Sequence, residues 1–167
     1  MNTFKKNLAE YLFLFWLGGS VYIEVELLCR GYTHWSMFVL AGFVFITVGW
    51  SNEYIFTWQD KFFKQVSLAT LWATLCEYIC GLILRYFGLQ VWDYSNVPLN
   101  IDGLICVPFM FAWAALMIVA IVVDDLAKFY FFAGQRPHYH VGKWCVRLCP
   151  VEFRKENNYD QSALWRF

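Results

Sequence analysis

Three carboxylates stand where the chain is otherwise apolar: Glu24 and Glu26 in the first hydrophobic run, and Glu77 deep in the third. A carboxylate at the centre of a bilayer-spanning helix costs roughly 2.5–3.5 kcal/mol on insertion scales, so such residues normally face the bundle interior and a partner. Thr70, Thr74, Glu77 and Gly81 recur every three or four residues, which puts a polar, small-residue face on one helix and predicts that it packs inward. Arg85 lies two turns beyond Glu77, too far along one straight helix for direct pairing. Glu26 and Arg30 are four apart and can meet on one face, whereas Glu24 points elsewhere with Ser20 one turn below it. After the third run comes LQVWDYSNVPLNID, in which Trp92, Asp93, Tyr94 and Ser95 form a dense polar-aromatic patch followed by Asn100. Asp93 and Ser95 suit local Asx and Ser turns, while Pro98 and Gly103 shape the return into the fourth run.

Gathered around one outward-facing polar cavity, Glu24, Glu26, Glu77, His34 and Asp93 could bind a cation or a basic headgroup, or hold a proton relay. A plainer reading stands beside it. Glu26–Arg30 is then a helix-end pair, Glu77 is interhelical glue, and His34 before Trp35-Ser36 caps a turn. No G-x-S-x-G elbow, H-E-x-x-H helix or glycine-rich phosphate loop occurs, so the ATP-hydrolysing part of a pump is not expected in this chain. His138, His140, Cys145 and Cys149 are zinc-ligand types, but H-x-H-x4-C-x3-C is not a common structural-zinc spacing. The favoured reading of that tail over a metal site is merely packed structure or a short interfacial helix, the latter with Val141, Trp144 and Leu148 inside and Lys143 and Arg147 outside. No cofactor is expected.

The elements that must position these residues are membrane helices. Only 16% of the 167 residues are charged and 60% are hydrophobic, against about 25% charged in soluble domains. The net charge of zero offers no electrostatic case for nucleic acid as a partner. Cys29, Cys76, Cys80 and Cys106 sit in or beside apolar runs and read as small hydrophobes, not as a disulfide framework. Lys5-Lys6 and the apolar run after them resemble a signal peptide in outline, yet the run continues to Leu28 and reads as an uncleaved first span.

Four spans of about 20 residues are predicted, at 8–28, 36–56, 66–84 and 104–123, too long and too weakly alternating for barrel strands. The fold class is therefore all-α: an integral-membrane four-helix bundle over residues 1–132, with a cytoplasmic tail over 133–167. Lys5, Lys6, Lys61, Lys64 and Lys128 fall on one side and Arg30 and Arg85 on the other, which predicts both termini inside. Trp35, Trp50, Trp58 and Trp92 are expected as headgroup-level anchors. A faint echo between the halves, a glutamate-bearing helix leading to an Arg-, Trp- and Ser-bearing turn, would follow from a duplicated helical hairpin.

Residues 77–116, EYICGLILRYFGLQVWDYSNVPLNIDGLICVPFMFAWAAL, resemble the signature half of a bacterial family, the putative ABC-transporter permeases of type IV. The similar pattern is E-Y-x-x-G, a spacer, W-D-Y-S-x-x-P-x-N-x-x-G-x-I-C-x-P-F and a further Trp. Here it is carried by Glu77, Gly81, Trp92, Asp93, Tyr94, Ser95, Pro98, Asn100, Gly103, Ile105, Cys106, Pro108, Phe109 and Trp113. LGGSVYIEVELL and RGYTHWSMFVLAGF are similar to the family's opening helix and second helix, so the resemblance covers about residues 11–123. It implies a helical bundle in a bacterial cytoplasmic membrane and assigns neither catalytic residue nor substrate. The expected function is a permease-like or accessory membrane subunit. Its outward-facing site would use Glu24, Glu26, Arg30, Glu77, Arg85, Trp92, Asp93, Tyr94, Ser95 and Asn100. Its partners would be membrane lipids and a second copy or a separate ATPase. Two rivals stand beside it: an intramembrane enzyme acting on a lipid or peptide through Glu77 or Asp93, and a holin- or effector-like pore or assembly protein.

Overall fold

The computed structural model describes residues 3–54, 62–131, 137–141 and 144–148. Four helices carry the fold: α1 (Thr3–Arg30), α2 (Trp35–Tyr54), α3 (Phe62–Tyr86) and α4 (Val107–Phe131). Three of them are long and apolar enough to cross a membrane, over Leu8–Cys29, Phe62–Tyr86 and Val107–Phe131, and α2 adds a shorter apolar stretch, Trp35–Ser51. In lipid only a structure that satisfies its own backbone polar groups is viable, and an unbroken apolar run satisfies them as a helix.

The helices pair as two hairpins, α1 packing chiefly on α2 and α3 chiefly on α4. Small residues let the first pair approach closely, with Gly18 and Gly19 against Phe45 and Phe38, and Gly42 under Phe15. In α4 one row at helical spacing is buried: Trp113, Met117, Ile121, Asp124 and Lys128. In α3 Thr70, Thr74, Glu77 and Gly81 face inward, as their spacing predicts, and Ala69 and Ala73 are buried with them. Leu71, Ile79, Ile83, Phe111 and Val119 point outward, an apolar surface suited to lipid rather than water. After α3 ends at Tyr86, Gly88, with φ of 75°, permits the closing turn in which Leu89 N–H donates to the Leu84 carbonyl at 2.9 Å.

Two expectations are corrected. The fourth helix starts at Val107 and runs on to Phe131, not 104–123, because residues 100–106 form a small antiparallel hairpin of β1 (Asn100–Ile101) and β2 (Ile105–Cys106). Asp124 and Asp125 therefore lie inside α4 and do not terminate it. The tail segment, read as an interfacial helix or merely packed structure, forms no helix but an antiparallel hairpin, β3 (His138–Val141) with β4 (Trp144–Arg147). Its period is two: Tyr139 turns inward to the Phe62 ring, 5.0 Å between centroids, while His138 and His140 take the other face. Phe56, Trp58, Lys61, Cys149 and residues 149–167 lie outside the described residues. The described residues are thus mostly helical, with two short β-hairpins among them, one at the 87–106 loop and one beyond the end of α4.

Candidate functional site

The 87–106 connection is built from its own polar side chains. Ser95 donates its backbone N–H to Asp93 Oδ1 at 2.8 Å and its hydroxyl to the same oxygen, an Asx turn of the kind the sequence suggests. Those two bonds hold the Asp93 carboxyl below the usual carboxylate range. Asn100 Nδ2 donates to the Val97 carbonyl at 2.7 Å and the Ser95 carbonyl at 3.3 Å, and its Oδ1 accepts from Gly103 N–H at 3.2 Å. Gly103 has φ 67°, and a Cβ there would overlap the Ser95 hydroxyl, so the turn requires glycine. Leu99 and Asp102 also sit in the left-handed region, at φ 57° and 54°. Trp92 is buried, at 6% exposure, and its indole N–H donates to the Leu104 carbonyl at 2.9 Å. It is a strut beneath the loop and not the headgroup-level anchor expected of it, whereas Trp35 and Trp50 are both exposed.

Beneath this loop lies Glu77, 2% exposed. Trp113 Nε1 donates to its Oε2 at 2.7 Å, and the Tyr94 hydroxyl donates to its Oε1 at 3.3 Å. Phe109 stacks on Tyr94 with centroids 4.5 Å apart, and Tyr22 of α1 stacks on Trp113 at 5.4 Å. The loop, α4 and α1 thus converge on one carboxylate of α3. A carboxylate aligned by fixed indole and phenol donors can exchange those neutral partners for a cation or a proton. Thr74 and Thr70 bond back to their own helix, to the Thr70 carbonyl at 2.9 Å and the Val66 carbonyl at 2.8 Å.

The other expected site residues are placed elsewhere. Arg85 Nη2 donates to the Asp102 carbonyl at 2.9 Å and Tyr78 donates to Asp102 Oδ2 at 2.7 Å, pinning the end of α3 to the loop. Glu26 is buried and accepts from Thr33 Oγ1 at 2.6 Å, while Glu24 is exposed. The Arg30 side chain lies outside the described ones. His34 caps α2, its Nδ1 2.8 Å from Ser36 Oγ and its carbonyl accepting from Met37 N–H. The described residues do not gather Glu24, Glu26, His34 and Asp93 at Glu77. The cleft beside Glu77, between α1, α2 and α4, is lined by apolar side chains.

Two features escape the sequence reading. Trp113 is visible there as one residue of a pattern, but nothing in a spacing of 36 residues ties it to Glu77. At the termini end, Asp124 is 1% exposed and pairs with Lys128 one turn on, at 3.0 Å, and Lys128 also donates to the Gly49 carbonyl at 3.2 Å. A Cβ on Gly49 would stand 2.6 Å from Asp124 Oδ1, so any larger residue there forces the carboxylate or α2 to shift. Next to it Asp125 Oδ2 accepts from the Tyr139 hydroxyl at 2.8 Å, which fastens the β3–β4 hairpin to α4. The i,i+4 spacing of Asp124 and Lys128 is the signal that could have found this pair. His140 pairs across the hairpin with Cys145, yet among the described residues no group of three or more His, Cys, Asp or Glu is placed to hold a metal, and Cys149 lies outside them.

The family model for Putative ABC-transporter type IV matches residues 11–148. That range extends past the 11–123 of the resemblance and takes in the β3–β4 hairpin. No solved structure matches the chain.

Proposed function

The chain belongs to the Putative ABC-transporter type IV family, and from that membership we propose that it is a permease-like or accessory membrane subunit with an outward-facing site at Glu77. In this reading both termini are cytoplasmic, the 87–106 loop faces outward, and a separate ATPase or a second copy completes the transporter. One observation carries it: Glu77 is buried within a span, with Trp113 and the signature-loop Tyr94 on its two oxygens. The cost of such a carboxylate, and its contact with an outer loop, suit a solute-sensing position better than a purely structural one.

A second buried carboxylate, Asp124, lies on the same helix as Trp113. It shares the buried row of α4 with Trp113, eleven residues and so about 16 Å along the axis. Met117 and Ile121 fill the interval, buried at 4% and 0%. The enzymatic rival is weaker at Asp93, since a general base works best with a pKa near the operating pH and that carboxyl is shifted downward.

The test uses native membranes carrying the tagged full chain. Expected are copurification of an ATP-hydrolysing subunit and ATP-dependent uptake of at least one class in a panel of isotopically labelled cationic, zwitterionic and anionic solutes. Vesicles with and without the chain that accumulate every class equally, with no ATPase retained, overturn the proposal.

A further inference from the structure

One stripe of α3 runs Leu71, Leu75, Tyr78, Leu82 and Arg85, at alternating spacings of four and three that keep to one face. Its three leucines are 57%, 47% and 43% exposed, so the described helices leave this face uncovered and turned to lipid in a bilayer. Leu71 to Leu82 is eleven residues, about 16 Å, close to half of a hydrocarbon core roughly 30 Å thick. The apolar part of the stripe is thus as long as one leaflet is deep.

At its loop end the stripe turns polar. Tyr78 donates to Asp102 Oδ2 at 2.7 Å and Arg85 Nη2 to the Asp102 carbonyl at 2.9 Å, so the loop sets Asp102 against this face. That occupies one of the five guanidinium N–H groups, and Arg85 forms no ion pair with any described carboxylate. Asp102 Oδ1 likewise has no hydrogen-bond partner among the described residues. Asp93 stands close by: after the two Ser95 bonds, the Arg85 charge also helps to hold its carboxyl low. One exposed cation and two exposed carboxylates therefore share the end of a face of lipid length.

We infer that this face binds a phosphoethanolamine lipid, its phosphate on Arg85, its ammonium at Asp102 with Asp93 beside it, and one acyl chain along Leu82 to Leu71. The site needs a bilayer around α3 and does not depend on transport. An apolar chain gains little by exchanging lipid neighbours for leucines, so selectivity lies in the head. The planar guanidinium fork matches phosphate oxygens. A head with net negative charge would meet two carboxylates and a single guanidinium, which disfavours it. A primary ammonium can donate to the open Asp102 oxygen, whereas a trimethylated one has no N–H to give.

The test titrates the full chain in detergent micelles with dioleoyl phosphatidylethanolamine, phosphatidylcholine and phosphatidylglycerol, bound lipid being counted by native mass spectrometry. The ethanolamine lipid is expected to bind at least fivefold more tightly than either of the others. R85Q should weaken that binding at least fivefold, and R85K, which keeps the charge, less than threefold. D102N keeps an acceptor for Tyr78 and suits the left-handed φ of 54°, so it reads the site even where R85Q fails to fold. It should shrink the preference over phosphatidylglycerol at least threefold. Glycerophosphoethanolamine, the same head without acyl chains, should not displace the lipid at equal concentration. Equal affinity for the three heads, tightest binding of phosphatidylglycerol, unchanged affinity in R85Q, unchanged preference in D102N, or displacement by the chainless head each overturn the assignment.

Discussion

Trp113 and Ser95 each hold a carboxylate, and the two cases differ in what water can replace. At Glu77 water is excluded, so W113F leaves a buried oxygen short of a donor. The expected cost is about 1–3 kcal/mol, read as a lower unfolding midpoint in detergent, whereas W113F with unchanged stability would show that the 2.7 Å contact contributes nothing. At Asp93 the group is exposed, and the effect belongs to titration. A carboxyl with a depressed folded pKa lends stability above its ordinary value and loses it as pH falls through the depressed one. S95A should therefore raise the Asp93 pKa, followed by carboxyl carbon NMR, and its stability deficit should be present at neutral pH and vanish in acid. An unmoved pKa in S95A would refute the assignment. Glu77 is legible in sequence because a carboxylate in an apolar run is conspicuous, while its partners are not, because they arrive from 17 and 36 residues away.

Among the elements, the helices are legible in the sequence and their ends are not. The expected 104 start failed because Leu104, Ile105 and Cys106 are apolar yet spent on the loop: Leu104 supplies the carbonyl for Trp92, and β2 pairs with β1. Hydrophobicity alone does not separate a helix start from a buried turn. The 124 stop failed because an aspartate beside Lys128 and under a glycine can stay inside. G49A forces the Asp124 carboxylate or the α2 backbone to shift and is expected to cost about 1–3 kcal/mol, seen in thermal unfolding, whereas a neutral G49A would show that the carboxylate gives way without cost. Within the loop, Leu99 holds a left-handed φ that costs a residue with a Cβ about 1–2 kcal/mol, so L99G should raise stability despite glycine's unfolded-state entropy. A lower melting temperature for L99G would contradict that. The tail hairpin could have been suspected from the alternation His138-Tyr139-His140-Val141, but Val141, Trp144 and Leu148 fit a helical stripe as well, and four residues do not decide.

On the scale of the whole molecule, the loop end carries the Glu77 site and the termini end carries the Asp124–Lys128 pair, with an apolar core between. Single-cysteine variants test the orientation, because Cys29 near the loop end and Cys145 in the hairpin are both exposed. An impermeant thiol reagent on intact cells is expected to label Cys29 and to reach Cys145 only after permeabilisation, and the reverse pattern would invert the topology. The central claim, that Glu77 is a working group and not interhelical glue, is met most directly by one measurement. It is the initial rate of ATP-dependent solute uptake in membranes holding equal amounts of wild type and E77Q, which keeps the shape and removes the charge. A fall of at least tenfold with helix content intact is expected, whereas a wild-type rate in E77Q would return Glu77 to a purely structural role.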